Sequence, residues 1–123
     1  MPIANQYLFK NINSLENTYD KNTNWRKYYN SLLRNEYKSV FSLFDKKIYI
    51  KAPSFKYVLK WRYAQEKSNS SKSDNKNIMN KAKLKEFIQH YEKLTKWMML
   101  TMPNQADILI KINSNQKIKK III

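Results

Sequence analysis

The sequence contains no glycine and no cysteine. Without glycine there is no phosphate-cradling loop of the nucleotide-binding types, no dinucleotide fingerprint and no KH-type loop, which argues against nucleotide enzymes and KH modules. Without cysteine there are no disulfides, no thiolate nucleophile, no cysteine-based zinc site and no zinc knuckle. Histidine occurs once, as His90. Together with Glu86 one helical turn earlier it is a poor ligand set for a metal, and the spacing suits an ordinary helix contact as well as an acid–base pair. No metal, no cofactor and no reaction is expected.

Long apolar runs are missing too. The densest, WMMLTM at 97–102, falls far short of the roughly 20 residues that cross a bilayer. The first twenty residues carry neither the basic start and apolar stretch of a secretory signal nor the arginine-rich pattern of a transit peptide. Acidic residues are scarce: 9 stand against 24 basic ones, leaving a net charge of +15. Such an excess attracts polyanions, either nucleic acid or an anionic membrane surface.

Lysine, asparagine and isoleucine are abundant, at 21, 15 and 13 residues, whereas Arg26, Arg34 and Arg62 are the only arginines. All three abundant types have A- and T-rich codons, so a single lysine carries less weight than the total charge. A protein encoded by the AT-rich genome of an organelle would show this composition without a presequence. A mitochondrial location is therefore the first expectation, with a cytoplasmic protein from an AT-rich nucleus as the alternative.

Along the chain, residues 1–22 show no sustained period and read as an extended arm with at most a short helix. From Asn24 onward Trp25, Tyr28, Tyr29, Leu32, Leu33, Tyr37, Val40, Phe41 and Phe44 recur at helical spacing, with Thr23 or Asn24 as cap. KIYIKAP, starting at Lys47, alternates as a strand. FKYVLKWRY, residues 55–63, places Phe55, Tyr57, Leu59, Trp61 and Tyr63 on one side of a strand and Lys56, Val58, Lys60 and Arg62 on the other. The two segments predict a hairpin across APS or a single bent strand, with the aromatic side against the core and the basic side outward. Residues 65–77 lack any apolar side chain and predict a surface loop. A second helix is expected from about Lys81 to Met102, stopped by Pro103, followed by a strand in ADILIKI at 106–112.

These elements predict an α+β fold, two amphipathic helices packed on a small two- or three-stranded sheet in the order helix-strand-strand-helix-strand, with extended basic termini. The expected organisation is an N-terminal arm over 1–22, one domain over 23–112 with a mobile loop at 65–80, and a basic, isoleucine-rich tail over 113–123. The string LLR at 32–34 resembles the signature of mitochondrial assembly adaptors of the LYR type but has leucine where that signature has tyrosine. LKWRY between helices is similar in placement to a segment of the small Alu-binding subunits of the signal recognition particle, whose strand order differs. No family is assigned on either.

The functional expectation is a non-catalytic structural subunit of a large ribonucleoprotein, the mitochondrial ribosome first, touching rRNA phosphates without DNA specificity. Arg62, Lys56, Lys60 and Lys51 are the expected phosphate contacts on the strand face, Arg26 and Arg34 on the first helix, and Lys117, Lys119 and Lys120 at the C-terminal end. Neighbouring protein subunits are expected at Trp97, Met98 and Met99 and at Ile121, Ile122 and Ile123. The alternative is an accessory subunit of a mitochondrial inner-membrane complex, with peripheral membrane contact.

Overall fold

The computed structural model describes residues 12–70 and 80–123. In chain order the elements are α1 (Ser14–Tyr19), α2 (Asn24–Arg34), α3 (Glu36–Phe41), β1 (Ile48–Lys51), α4 (Lys56–Ser70), α5 (Lys81–Thr101), β2 (Ile108–Ile112) and β3 (Ile118–Ile122), with a 3-10 turn at Met102–Asn104. Asn35, at φ −107° and ψ −82°, bends α2 into α3, so the two form one broken helical arm. The three strands make a mixed sheet in the order β1-β2-β3, β1 parallel and β3 antiparallel to β2.

This α+β architecture overturns the expected order of helix-strand-strand-helix-strand. The decisive segment is FKYVLKWRY, which from Lys56 onward lies in α4 and not in a strand. Ser54, just after Pro53, accepts from the Lys56 N–H at 3.3 Å and starts the helix. Leu59 to Lys67 are dominated by residues that favour helix, and Arg62 reaches Glu66 four positions on at 2.9 Å. The alternation of aromatics over nine residues was coincidental. Strand β1 finds its partner in β2, and a parallel pair needs a crossover, which α4 and α5 supply. The C-terminal end is likewise no extended tail: Ile118–Ile122 closes the sheet as β3. Of the expected loop at 65–80, residues 65–70 complete α4 and the middle, 71–79, lies outside the described residues.

The helix α5 organises the rest. The Asn80 side chain accepts from the Lys83 N–H at 2.8 Å at its start, and Pro103 sits in the 3-10 turn that ends it. Leu84, Ile88 and Trp97 from this helix are buried, together with Met102 and Leu109, and Tyr29, Leu33, Leu94 and Met98 pack around Trp97. The core is thin. Among the described residues five apolar side chains are buried while sixteen large ones are exposed.

Helix α1, too short to stand alone, is fastened to α5 by polar contacts. Asn13 caps it by accepting from the Glu16 N–H at 2.9 Å and donates to the Gln89 carbonyl at 3.1 Å. Gln89 Oε1 accepts from Ser14 Oγ and from the Leu15 N–H, both at 2.9 Å. Glu16 and the buried Lys93 close the set with an ion pair at 2.6 Å.

Candidate nucleic-acid interface

Strand register brings together three lysines that lie far apart in sequence. Lys51 of β1 is opposite Lys111 of β2, and Lys111 is opposite Lys120 of β3. Directly opposed residues share a face and neighbouring strands are about 4.8 Å apart, so three ammonium-bearing side chains form one row across the whole sheet. Like charges placed this way repel. The ion pairs among the described residues are Arg26–Asp20, Arg62–Glu66, Lys93–Glu16 and Lys96–Glu92, and none of them neutralises the row. Lys51 and Lys111 are half-buried and Lys120 is exposed.

The row shares its face with Tyr49, Leu109 and Ile122; Leu109 is buried whereas Ile122 and Lys120 are exposed, so the face is covered at its centre and open along β3. Burial also raises the Tyr49 phenol above its ordinary range. Beyond the row lies the β2–β3 turn. There the indole Nε1 of Trp61 donates to the Ser114 carbonyl at 2.9 Å and ties α4 to the hairpin. Asn113 holds the turn, its Oδ1 accepting from the N–H groups of Asn115 and Lys117 at 2.9 and 3.0 Å. Lys117 and Lys119, both exposed, extend the positive field around this end.

The other expected phosphate contacts scatter. Lys56 and Lys60 share a flank of α4 at helical spacing, with Lys56 Nζ 5.2 Å from the Tyr57 ring centroid. Arg62 lies two residues on, which on a helix is nearly the opposite side, so the three do not form one face. Its guanidinium is occupied by Gln65 at 2.6 Å and Glu66 at 2.9 Å. Arg34 is exposed in the last turn of α2. Arg26 is only 1% exposed and is held by Asp20, so it presents no charge to a partner. Trp97, expected at a protein contact, is a core residue, whereas Met98 and Met99 are half-buried and Ile121, Ile122 and Ile123 are exposed.

Lys111 is the member of the lysine row that sequence reasoning missed. The usable signal was the echo of IYIK at 48–51 in ILIK at 108–111, the two segments that pair in parallel with every residue matched to its counterpart.

A cavity of about 580 Å³ lies between α1, α2 and α5, lined by Leu15, Tyr19, Trp25, Tyr29, Glu86 and His90 among others. His90 Nδ1 lies 2.9 Å from the Phe87 carbonyl of its own helix. Tyr29 is pushed up to about 12 by burial and secondarily by the negative charge of Glu16, so it stays a neutral phenol near neutral pH. Among the described residues no three His, Asp or Glu side chains converge as metal ligands. No protein-family profile, no curated protein sequence and no solved structure matches this chain.

Proposed function

We propose that the protein is a non-catalytic subunit of a large ribonucleoprotein, an organellar ribosome in the first instance, and that it engages RNA phosphates through the Lys51–Lys111–Lys120 row. The row itself carries this reading: three cations on adjacent strands, in no ion pair among the described residues, are costly unless an anion shares the site, and the net charge of +15 draws polyanions to it. Lys117 and Lys119 supply further contacts. Lysine ammoniums act as point charges on phosphate, so the binding is independent of base sequence.

The test is fluorescence anisotropy of the full chain with a labelled RNA hairpin over a series of salt concentrations. Each phosphate neutralised contributes about 0.7–0.9 to the slope of log affinity against log salt. Replacing Lys51, Lys111 and Lys120 together by glutamine is expected to lower the affinity and flatten that slope by about 2–3. Arg62→Gln, which removes an already paired guanidinium, is expected to change little. An unchanged slope in the triple variant refutes the assignment.

A second reading, an accessory subunit of an inner-membrane complex, draws on the many exposed apolar side chains. No helix among the described residues is long and apolar enough to cross a membrane, so this role would be peripheral. Sedimentation of the endogenous protein with and without RNase separates the two. Loss of a large particle on RNase digestion supports the RNA role, and an RNase-resistant membrane complex supports the other.

A further inference from the structure

The cavity between α1, α2 and α5 is built by repeating one spacing. Each helix lines it with a pair of residues four apart: Leu15 and Tyr19 from α1, Trp25 and Tyr29 from α2, Glu86 and His90 from α5. Tyr19 and Trp25 are 72% and 66% exposed, and Tyr29 is half-buried, so three aromatic rings border a space open to solvent. Its volume of about 580 Å³ falls within the roughly 300–1,000 Å³ of small-molecule sites. The charge of the lining runs against that of the chain. Glu16, Asp20 and Glu86 are three of the 9 acidic residues, whereas Arg26 alone of the 24 basic ones lines the cavity among the described residues. Arg26 is neutralised by Asp20 and Glu16 by Lys93. That leaves Glu86, exposed and in no ion pair among the described residues. Tyr29 feels the same field: burial first, and then the charge of Glu16, raises its phenol.

We propose that this cavity binds an alkylammonium group, its head among the rings of Tyr19, Trp25 and Tyr29 and its charge met by the carboxylate of Glu86. Aromatic faces attract cations, and the attraction grows where water is partly excluded. A carboxylate alone is content with water or a solvated metal ion, and rings alone accept any apolar body. Together they select a head that is both charged and clothed in hydrocarbon, and Leu15 adds apolar wall for the stem. A nucleotide fits the rings but not the charges, because it would bring phosphate to the side chains of Glu16 and Glu86. The head can belong to a free organic amine or to a lysine of a neighbouring protein, since both carry an ammonium on an alkyl stem.

Titration of the full chain with choline, followed by nuclear magnetic resonance of the indole N–H groups, tests the site. The Trp25 signal is expected to move and saturate, while Trp61, bonded to the Ser114 carbonyl, and the buried Trp97 stay in place. The methyl protons of choline should shift upfield in the ring currents. Glu86→Gln and Trp25→Ala, both at exposed positions, are each expected to weaken choline by about 2- to 5-fold with an unchanged circular dichroism spectrum. The neutral isostere of choline, with a tert-butyl group in place of the trimethylammonium head, is expected to bind more weakly than choline. N-acetyl-lysine methylamide separates the two sources: binding tighter than choline assigns the cavity to a lysine side chain of a neighbouring protein, and weaker binding to a free amine. The proposal is overturned if neither cation moves Trp25, if the isostere binds as well as choline, or if both variants bind choline as the parent does. It is equally overturned if adenosine monophosphate takes the cavity more tightly than either cation. The RNA titration stands apart from these outcomes, because helices line the cavity and the lysine row lies on strands.

Discussion

The carboxylate of Asp20 lies 2.8 Å from Nε of Arg26, and both side chains are buried, at 8% and 1% exposure. The same carboxylate accepts from the N–H groups of Trp25 and Arg26 at 2.8 and 3.2 Å, so it also caps α2. Thr23, which directly precedes the helix, makes no side-chain cap bond. Arg26 Nη2 donates to the Asp20 carbonyl at 2.7 Å, while Nη1 is buried with no hydrogen-bond partner among the described residues. Asp20→Asn keeps the shape and leaves a charged guanidinium without its counter-ion. A loss of about 3–5 kcal/mol is expected in urea unfolding.

The pair also sets a pH dependence. Burial by itself raises the Asp20 carboxyl, but the hydrogen bonds from Arg26 and from the two backbone N–H groups, with the charge of Arg26, outweigh it and hold the carboxyl below its ordinary range. A group depressed in the folded state binds its proton more readily when unfolded, so its contribution is full above the unfolded value near about 4 and is lost as pH falls through the folded value. The stability gap between the parent and Asp20→Asn should be constant above about pH 5 and shrink below about pH 4. Urea titrations at stepped pH measure it.

With no glycine, the chain places Thr23 at φ 65° and Gln116 at φ 59°, in the left-handed region that costs a side chain with a Cβ about 1–2 kcal/mol. Gln116 is the cleaner site, because it is exposed and lies in the β2–β3 turn. Its N–H donates to the Asn113 carbonyl at 3.0 Å, a bond that glycine preserves. Gln116→Gly should stabilise the fold by about 0.5–1 kcal/mol after the entropy of the freer unfolded chain is subtracted. A rise in thermal midpoint is the readout.

Local signals were legible where one segment carried its own boundaries. Helix α5 starts and stops within a residue of expectation, because the Asn80 cap and Pro103 act on their immediate neighbours. The start of α2 at Asn24 was equally readable from its apolar spacing. Non-local information was not. Residues 55–63 satisfied a strand pattern and a helix pattern at once, and the choice was made by β2, which competes for the edge of β1 from beyond two intervening helices. The lysine row is invisible until register is known, since Lys51, Lys111 and Lys120 belong to three strands. For the same reason Arg26 read as a surface cation: nothing in its own helix announces Asp20 as its partner.

If the row binds phosphate as proposed, stability and RNA affinity pull in opposite directions at Lys111. As the middle member it faces a like charge on both sides, so Lys111→Gln removes two unfavourable cross-strand pairs while Lys51→Gln or Lys120→Gln removes one. Each such pair is worth about 0.2–1 kcal/mol, which makes Lys111→Gln the most stabilising of the three, while on the proposed function it is expected to weaken RNA binding. The cause is electrostatic, and the charges are at least partly open to solvent, so the gain should be largest at low salt and narrow once the Debye length falls to about 3 Å near 1 M. Thermal unfolding at low and high salt checks this. A gain that did not depend on salt would come from packing of the shorter side chain, and the row would then lose its claim to be a site that waits for an anion.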